Sequence, residues 1–254
     1  MPSHALQTSP HETPALRFAH VTKTYGDTPA LAGISLNVQR GEFFGLIGVN
    51  GAGKTTLLKC LLDFCDIDDG RIEIFGLSHR LTSARARLAY LPERFNPPYY
   101  LTGNDFLHYM MRLHRAPYDV AAIERVFRGL DLDIAALTKP VRSYSKGMTQ
   151  KLGLAACLLS GKDLHVLDEP ASGLDPKARA LFKRELARLR AAGRTVFFSS
   201  HALPDVEQLC DRIGVIHEGR LRFAGSPAEL RHAFGAALDL EQAFLACIGE
   251  PVAV

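Results

Sequence analysis

Apolar and polar positions change period along the chain. From Leu16 to about Phe75, short apolar runs alternate with turn residues. Leu16–Val21, Ala32–Val38 and Phe43–Ile47 read as strands, with turns at Tyr25-Gly26-Asp27 and Arg40-Gly41. A helix is predicted from Gly53-Lys54 to about Asp63, then strands at Arg71–Phe75 and Leu88–Leu91. From about Pro97 to Leu159 the spacing turns helical, over Asn104–His114, Val120–Leu130 and Ser145–Leu159. Asp119 and Ser145 suit the N-cap positions. Strand and helix then alternate: strand Leu164–Leu167, helix 176–191, strand Thr195–Ser199, helix 203–210, then strands Ile213–His217 and Leu221–Phe223. Alternation of this kind predicts an α/β core with a mostly parallel sheet flanked by helices, antiparallel strands at its start and an inserted α-helical subdomain.

Composition leaves that picture intact. Of 254 residues, 47% are apolar and 22% charged, which suits a globular chain with a substantial core. A net charge of +3 is too weak to imply a nucleic-acid partner; phosphate ligands or an anionic membrane surface fit as well. No run approaches the ~18 to 20 apolar residues of a membrane-spanning helix, and Leu152–Leu159 fits buried core. The opening MPSHALQTSPHETPAL lacks the basic and apolar regions of a secretory signal. Residues 1–15 are expected to be a flexible extension. That leaves 16–254 as one domain, its helical subdomain spanning about 97–160. The cysteines (Cys60, Cys65, Cys157, Cys210, Cys247) are odd in number and scattered, which predicts buried free thiols in a reducing, cytoplasmic setting. No tandem repeat is present.

The chemistry concentrates in short motifs. GVNGAGKTT, comprising Gly48, Val49, Asn50, Gly51, Ala52, Gly53, Lys54, Thr55 and Thr56, matches the phosphate-binding loop of P-loop NTPases. The strand FFGLIG precedes it and a helix-compatible LLKCLL follows, as the motif requires. Its glycines let backbone N–H groups converge on phosphates at a helix N-terminus. Lys54 is expected to reach the β- and γ-phosphates and the Thr55 hydroxyl to bind Mg²⁺. In LHVLDEP, Asp168 ends an apolar strand and suits a carboxylate holding Mg²⁺ through water. Glu169, one residue on, suits a general base that polarises the attacking water. His165, within that strand, reads as a buried, hydrogen-bonded histidine.

Between these motifs stands YSKGMTQ, Tyr144 to Gln150, which resembles the LSGGQ signature of ATP-binding cassette proteins. SGLD (Ser172–Asp175) is similar to that family's D-loop, SSH (Ser199–His201) to its switch histidine, and Tyr25 in TKTYGD to its adenine-facing aromatic. The resemblance spans Tyr25 to His201 in the family's order. It implies that Tyr25 stacks on adenine, although a core tyrosine in a turn is the plainer alternative. It implies that Ser145 and Gly147 bind the γ-phosphate held by an opposite protomer, so that the site is complete only in a dimer. Asp175 would lie along the dimer interface. His201 would contact the γ-phosphate and hold Glu169 and the water in place, against the alternative of a solvent-facing histidine.

The departures are specific. Tyr144, Lys146 and Met148 replace the signature's Leu, Gly and Gln, Val49 replaces a common proline, and Glu93 stands where the family has its Q-loop glutamine. A carboxylate at Glu93 can still coordinate Mg²⁺. Arg94, Phe95, Tyr99 and Tyr100 are candidates to line the groove that receives a membrane subunit, or else pack the subdomain's own core. The C-terminal LDLEQAFLACIG resembles subunits serving drug, polysaccharide or lipid exporters or copper-enzyme maturation systems. The resemblance therefore implies the ATP- and Mg²⁺-dependent ATPase subunit of a transporter. It would be a homodimer or heterodimer at the cytoplasmic face of the inner membrane, beneath a separate transmembrane permease, with export favoured. Two alternatives stand beside it: a soluble cassette ATPase acting on ribosomes or DNA, and a regulatory subunit without turnover. A single cassette lacking a long coiled-coil insertion weighs against the first. Retention of Lys54, Asp168, Glu169 and His201 weighs against the second.

Overall fold

A computed structural model describes residues 13–235 and 237–251. Most of the expected N-terminal extension, residues 1–12, lies outside them. Ala15 is buried and its carbonyl accepts from Phe75 N–H, so the chain is tied down before the first strand begins.

In chain order the strands are β1 Leu16–Tyr25, β2 Thr28–Val38, β3 Phe43–Ile47, β4 Asp69–Ile74, β5 Leu77–Ser78, β6 Leu88–Leu91, β7 Leu164–Asp168, β8 Thr195–Ser200, β9 Arg212–His217 and β10 Arg220–Gly225. The helices are α1 Lys54–Leu61, α2 Thr82–Arg85, α3 Gly103–His114, α4 Val120–Gly129, α5 Lys146–Leu159, α6 Pro176–Ala191, α7 Leu203–Leu209, α8 Pro227–Phe234 and α9 Leu240–Ile248. One sheet is antiparallel, in the order β2-β1-β4-β5. The other runs β10-β9-β3-β8-β7-β6 and is parallel except for the β9–β10 edge hairpin. The helical segment between β6 and β7 carries α3 to α5, and both predicted caps form: Asp119 and Ser145 accept from backbone N–H groups of α4 and α5.

β1 runs past its predicted end at Val21 because a bulge breaks the two-residue alternation. The register shifts between Phe18 and Val21, and His20 has φ 51°. Leu16 and Phe18 are buried before the shift and Val21 after it, so the inward face changes parity.

The parallel sheet separates two apolar layers. Phe44, Leu46, Val166 and Phe197 face α1 and the antiparallel sheet. Phe43, Ile47, Leu167, Val196 and Phe198 face the helices of the other layer. Every residue of β3, β7 and β8 is buried, as expected of strands covered on both faces. Gly129 ends α4 against α6, where an added Cβ would lie 2.0 Å from Glu185 Oε1.

Phe95 is half-buried and packs against the helical layer, its ring 5.6 Å from Phe106. Tyr99 and Tyr100 are exposed and pack edge to face on each other. The helices α8 and α9 are additions to the sequence reading, each opened by a capping box, Ser226 with Glu229 and Asp239 with Gln242. All five cysteines are free, and the sulfurs of Cys60 and Cys65 lie 3.5 Å apart. Among the described residues no helix is long and apolar enough to cross a membrane.

Candidate functional site

β3 ends at Ile47 and the chain turns through Gly48–Gly53 into α1. The turn requires glycine: Gly51 and Gly53 have φ of 80° and 112°, and a Cβ on Gly53 would sit 2.7 Å from the Ala30 carbonyl oxygen. Gly48 is confined as tightly, 2.3 Å from Ile216 O by the same measure. No side chain caps α1 and no acidic residue lies in its first turn. Its first N–H groups and its dipole are therefore disposed toward an anion, which fits a phosphate.

The buried Lys54 side chain is held inside this loop, its Nζ donating to Gly48 O at 2.6 Å and Val49 O at 3.2 Å. Burial lowers its pKa, and the nearby carboxylates of Glu169, Asp168 and Glu93 oppose that shift. Thr55 follows it, exposed at the helix start, and Glu93 is exposed beyond β6.

The acidic pair lies across the sheet at the end of β7. Asp168 is buried, and burial raises its pKa; the Ser199 hydroxyl opposes this, while Glu93 and Glu169 reinforce it. Glu169 leaves the strand with φ 47°, a left-handed conformation that costs a non-glycine residue roughly 1–3 kcal/mol. This turn sends its carboxylate toward the end of β8, where Oε2 meets His201 Nδ1 at 2.9 Å. Ser199, two residues before His201, completes the link: its Oγ donates to Asp168 Oδ1 at 2.5 Å and accepts from Glu169 N–H at 3.0 Å.

Among the described residues, no three His, Cys, Asp or Glu side chains are arranged to hold a metal alone. A cation there would need phosphate and water ligands beside Asp168 and Thr55. That fits Mg²⁺, which keeps several waters and takes few carboxylates.

Tyr25 ends β1 with its ring half-exposed and its hydroxyl 3.5 Å from Cys65 Sγ, so it is not a core tyrosine. Burial and the thiol both raise the Tyr25 pKa, the hydrogen bond to Cys65 most. The signature residues make their contacts elsewhere. Ser145 Oγ caps α5 by accepting from Met148 N–H at 3.2 Å, and Gly147 abuts the Gly173 carbonyl. Asp175 caps α6 through Ala178 N–H at 2.9 Å. Among the described residues no hydrogen bond or ion pair joins Ser145, Gly147 or Asp175 to residues 48–56.

His165 is buried as expected, but its Nδ1 has no hydrogen-bond partner among the described residues, and burial lowers its pKa to about 4. Two roles escaped the sequence reading. Ser199 was read only as the start of the SSH run, and it draws its importance from the parallel register that sets it opposite Asp168. Asp205 on α7 is buried against Lys183 of α6 at 2.7 Å, tying the element after His201 to the helix after Asp175.

A family model described as ABC transporter matches residues 31–172. An uncharacterized ABC transporter ATP-binding protein of Nostoc is 43% identical over 208 residues, covering 79% of this chain and 61% of that protein. A second uncharacterized ABC transporter ATP-binding protein, from Synechocystis, is 41% identical with 58% of its length covered, so the chain spans about three-fifths of these two relatives. Nod factor export ATP-binding protein I of Ralstonia nicotianae is 37% identical over 224 residues, covering 86% of this chain and 69% of that one. A solved ATP binding subunit of an ABC transporter superposes with TM-score 0.84 at 28% identity, covering 92% of this chain and 99% of that one.

Proposed function

The chain belongs to the ABC transporter family of ATP-binding proteins, and from that membership we propose that it is the ATP-hydrolysing subunit of a transporter. In this reading it works as a dimer beneath a separate transmembrane permease at the cytoplasmic face of the cell membrane. The observation that carries the reading is the convergence at one sheet end of Lys54, Asp168, Glu169 and His201, the last two 2.9 Å apart.

Each residue has work suited to its position. The amides of Gly48–Thr56 and the Lys54 ammonium hold the β- and γ-phosphates, and Tyr25 stacks on adenine. Thr55, Asp168 and Glu93 would hold Mg²⁺, which would supply charge neutralisation on the phosphoryl oxygens. Glu169 accepts a proton from the attacking water, and His201 fixes the carboxylate that does so. Ser145 and Gly147, which among the described residues make no hydrogen bond to this copy's own loop, are presented at the start of α5 to nucleotide on a second copy, and Asp175 lies along that interface. Export is the favoured direction because a relative bears that activity in its name.

Gentle solubilisation of native membranes with this chain tagged tests the reading. Recovery of a multi-spanning partner at near-equal amount, with ATPase activity in the complex, supports it. Recovery of ribosomal or DNA-associated proteins alone, with the chain absent from membranes, overturns it.

A further inference from the structure

We infer that Ser199 is a positioning residue whose single hydroxyl proton fixes the metal-facing carboxylate and the catalytic base relative to each other. The inference rests on the ATPase reading above and extends it to the first residue of the SSH run, of which the family resemblance gave a role to His201 alone.

The argument begins with the hydroxyl's inventory: one proton to give and lone pairs to accept with. The Glu169 backbone N–H can only donate, so at that 3.0 Å contact Ser199 Oγ must accept. An ionised Asp168 carboxylate can only accept, so the hydroxyl proton points to Oδ1 at 2.5 Å. Both contacts are satisfied at once with one orientation of the hydroxyl. Ser199 is fully buried, so no bulk water substitutes for either partner.

The two contacts act on different things. One orients the Asp168 carboxylate. The other anchors the backbone at the point where Glu169 adopts φ 47°, the turn that throws its side chain out of the strand. The same strand end then grips that side chain through His201 Nδ1. β8 and the residue that follows it thus hold Glu169 twice, by its amide through Ser199 and by its carboxylate through His201, while Ser199 binds Asp168 with the same oxygen. The parallel pairing of β7 with β8 places Ser199 opposite Asp168, which makes this geometry possible.

The test compares Ser199→Thr with Ser199→Val. These side chains share a shape and differ by the hydroxyl, so packing effects cancel between them. Both are compared with the unmodified chain for ATP turnover, for binding of a fluorescent ATP analogue with and without Mg²⁺, and for the urea unfolding midpoint. The Thr variant is expected to keep turnover and Mg²⁺ dependence near the unmodified values. The Val variant is expected to bind nucleotide without Mg²⁺ about as well as the Thr variant. It is also expected to need roughly tenfold more Mg²⁺ to reach half its metal-dependent gain in binding, and to lose about tenfold or more in kcat with little change in KM. Equal Mg²⁺ dependence and equal kcat in the two variants would overturn the inference. So would a Val variant whose metal-free binding and unfolding midpoint fall in step with turnover, since that pattern marks a structural residue only. If the unmodified chain binds Mg-ATP but turns none over, the hydrolysis reading fails, and the Mg²⁺ dependence of binding still decides the role of Ser199.

Discussion

His201 Nδ1 lies 2.9 Å from Glu169 Oε2, with the carboxylate largely buried and the imidazole mostly exposed. A carboxylate only accepts, so Nδ1 carries the proton and fixes the direction in which Glu169 faces. Removing the ring frees the carboxylate without touching the phosphate loop. His201→Ala is therefore expected to keep ATP affinity and to lower turnover by roughly 10- to 100-fold, the effect of losing a hydrogen bond to a charged group. Paired measurements of ATP binding and kcat check this; a loss of binding as large as the loss of kcat would count against it.

Tyr25 offers a half-exposed ring beside β2, which abuts the phosphate loop at Ala30 and Gly53. Tyr25→Ala should weaken ATP binding by about 0.5–1.5 kcal/mol, or roughly 2- to 12-fold. Tyr25→Phe should retain most of the affinity, because in the proposed role the ring and not the hydroxyl stacks. Nucleotide titration of both variants separates this from a role for the hydroxyl–Cys65 contact.

His165 makes stability depend on acid. It is 1% exposed and neutral in the folded protein, its pKa lowered to about 4 by burial, with nearby Arg194 as the next cause. In the unfolded chain it titrates near 6.5. Between these values the unfolded state binds the extra proton, so stability falls as pH drops below about 6.5. The loss levels off below about 4, after about 3 kcal/mol. Urea midpoints from pH 7 to pH 4 should show this component, and His165→Gln should remove it.

Phe197 is fully buried in β8, its ring 6.0 Å from Phe18 and 5.8 Å from Phe44. It thereby joins the antiparallel sheet to the parallel one. Phe197→Ala leaves a cavity in a place held by strands on both sides, and should cost about 3–5 kcal/mol. Denaturant unfolding monitored by circular dichroism checks it, and a cost under about 1 kcal/mol would show that the two layers close over the gap.

The parts of the fold that were legible from sequence depend on near neighbours. The phosphate loop is written in consecutive residues, and the helix predicted over 176–191 matches Pro176–Ala191 because Asp175, Pro176 and the apolar spacing all lie within it. What was missed depends on remote partners or on signals left unread. Ser199 matters through a strand pairing that joins positions 31 residues apart, which no local pattern displays. Phe95 and Tyr99 look alike in sequence, yet the first packs half-buried against Phe106 of α3 and the second is exposed. α8 and α9 were readable from Ser226 with Glu229 and Asp239 with Gln242, since both capping boxes are local. The bulge at His20 was not, because only pairing with β2 reveals it.

The most direct test of the account is ATP turnover by the purified chain beside Glu169→Gln, with ATP binding measured on both. The account predicts Mg²⁺-dependent hydrolysis by the unmodified chain. It predicts that the variant binds ATP as well and is slower by about 10²- to 10⁴-fold, the usual contribution of a general base. A variant that hydrolyses ATP at the unmodified rate would contradict the assignment of Glu169, and an unmodified chain that binds no ATP would contradict the whole.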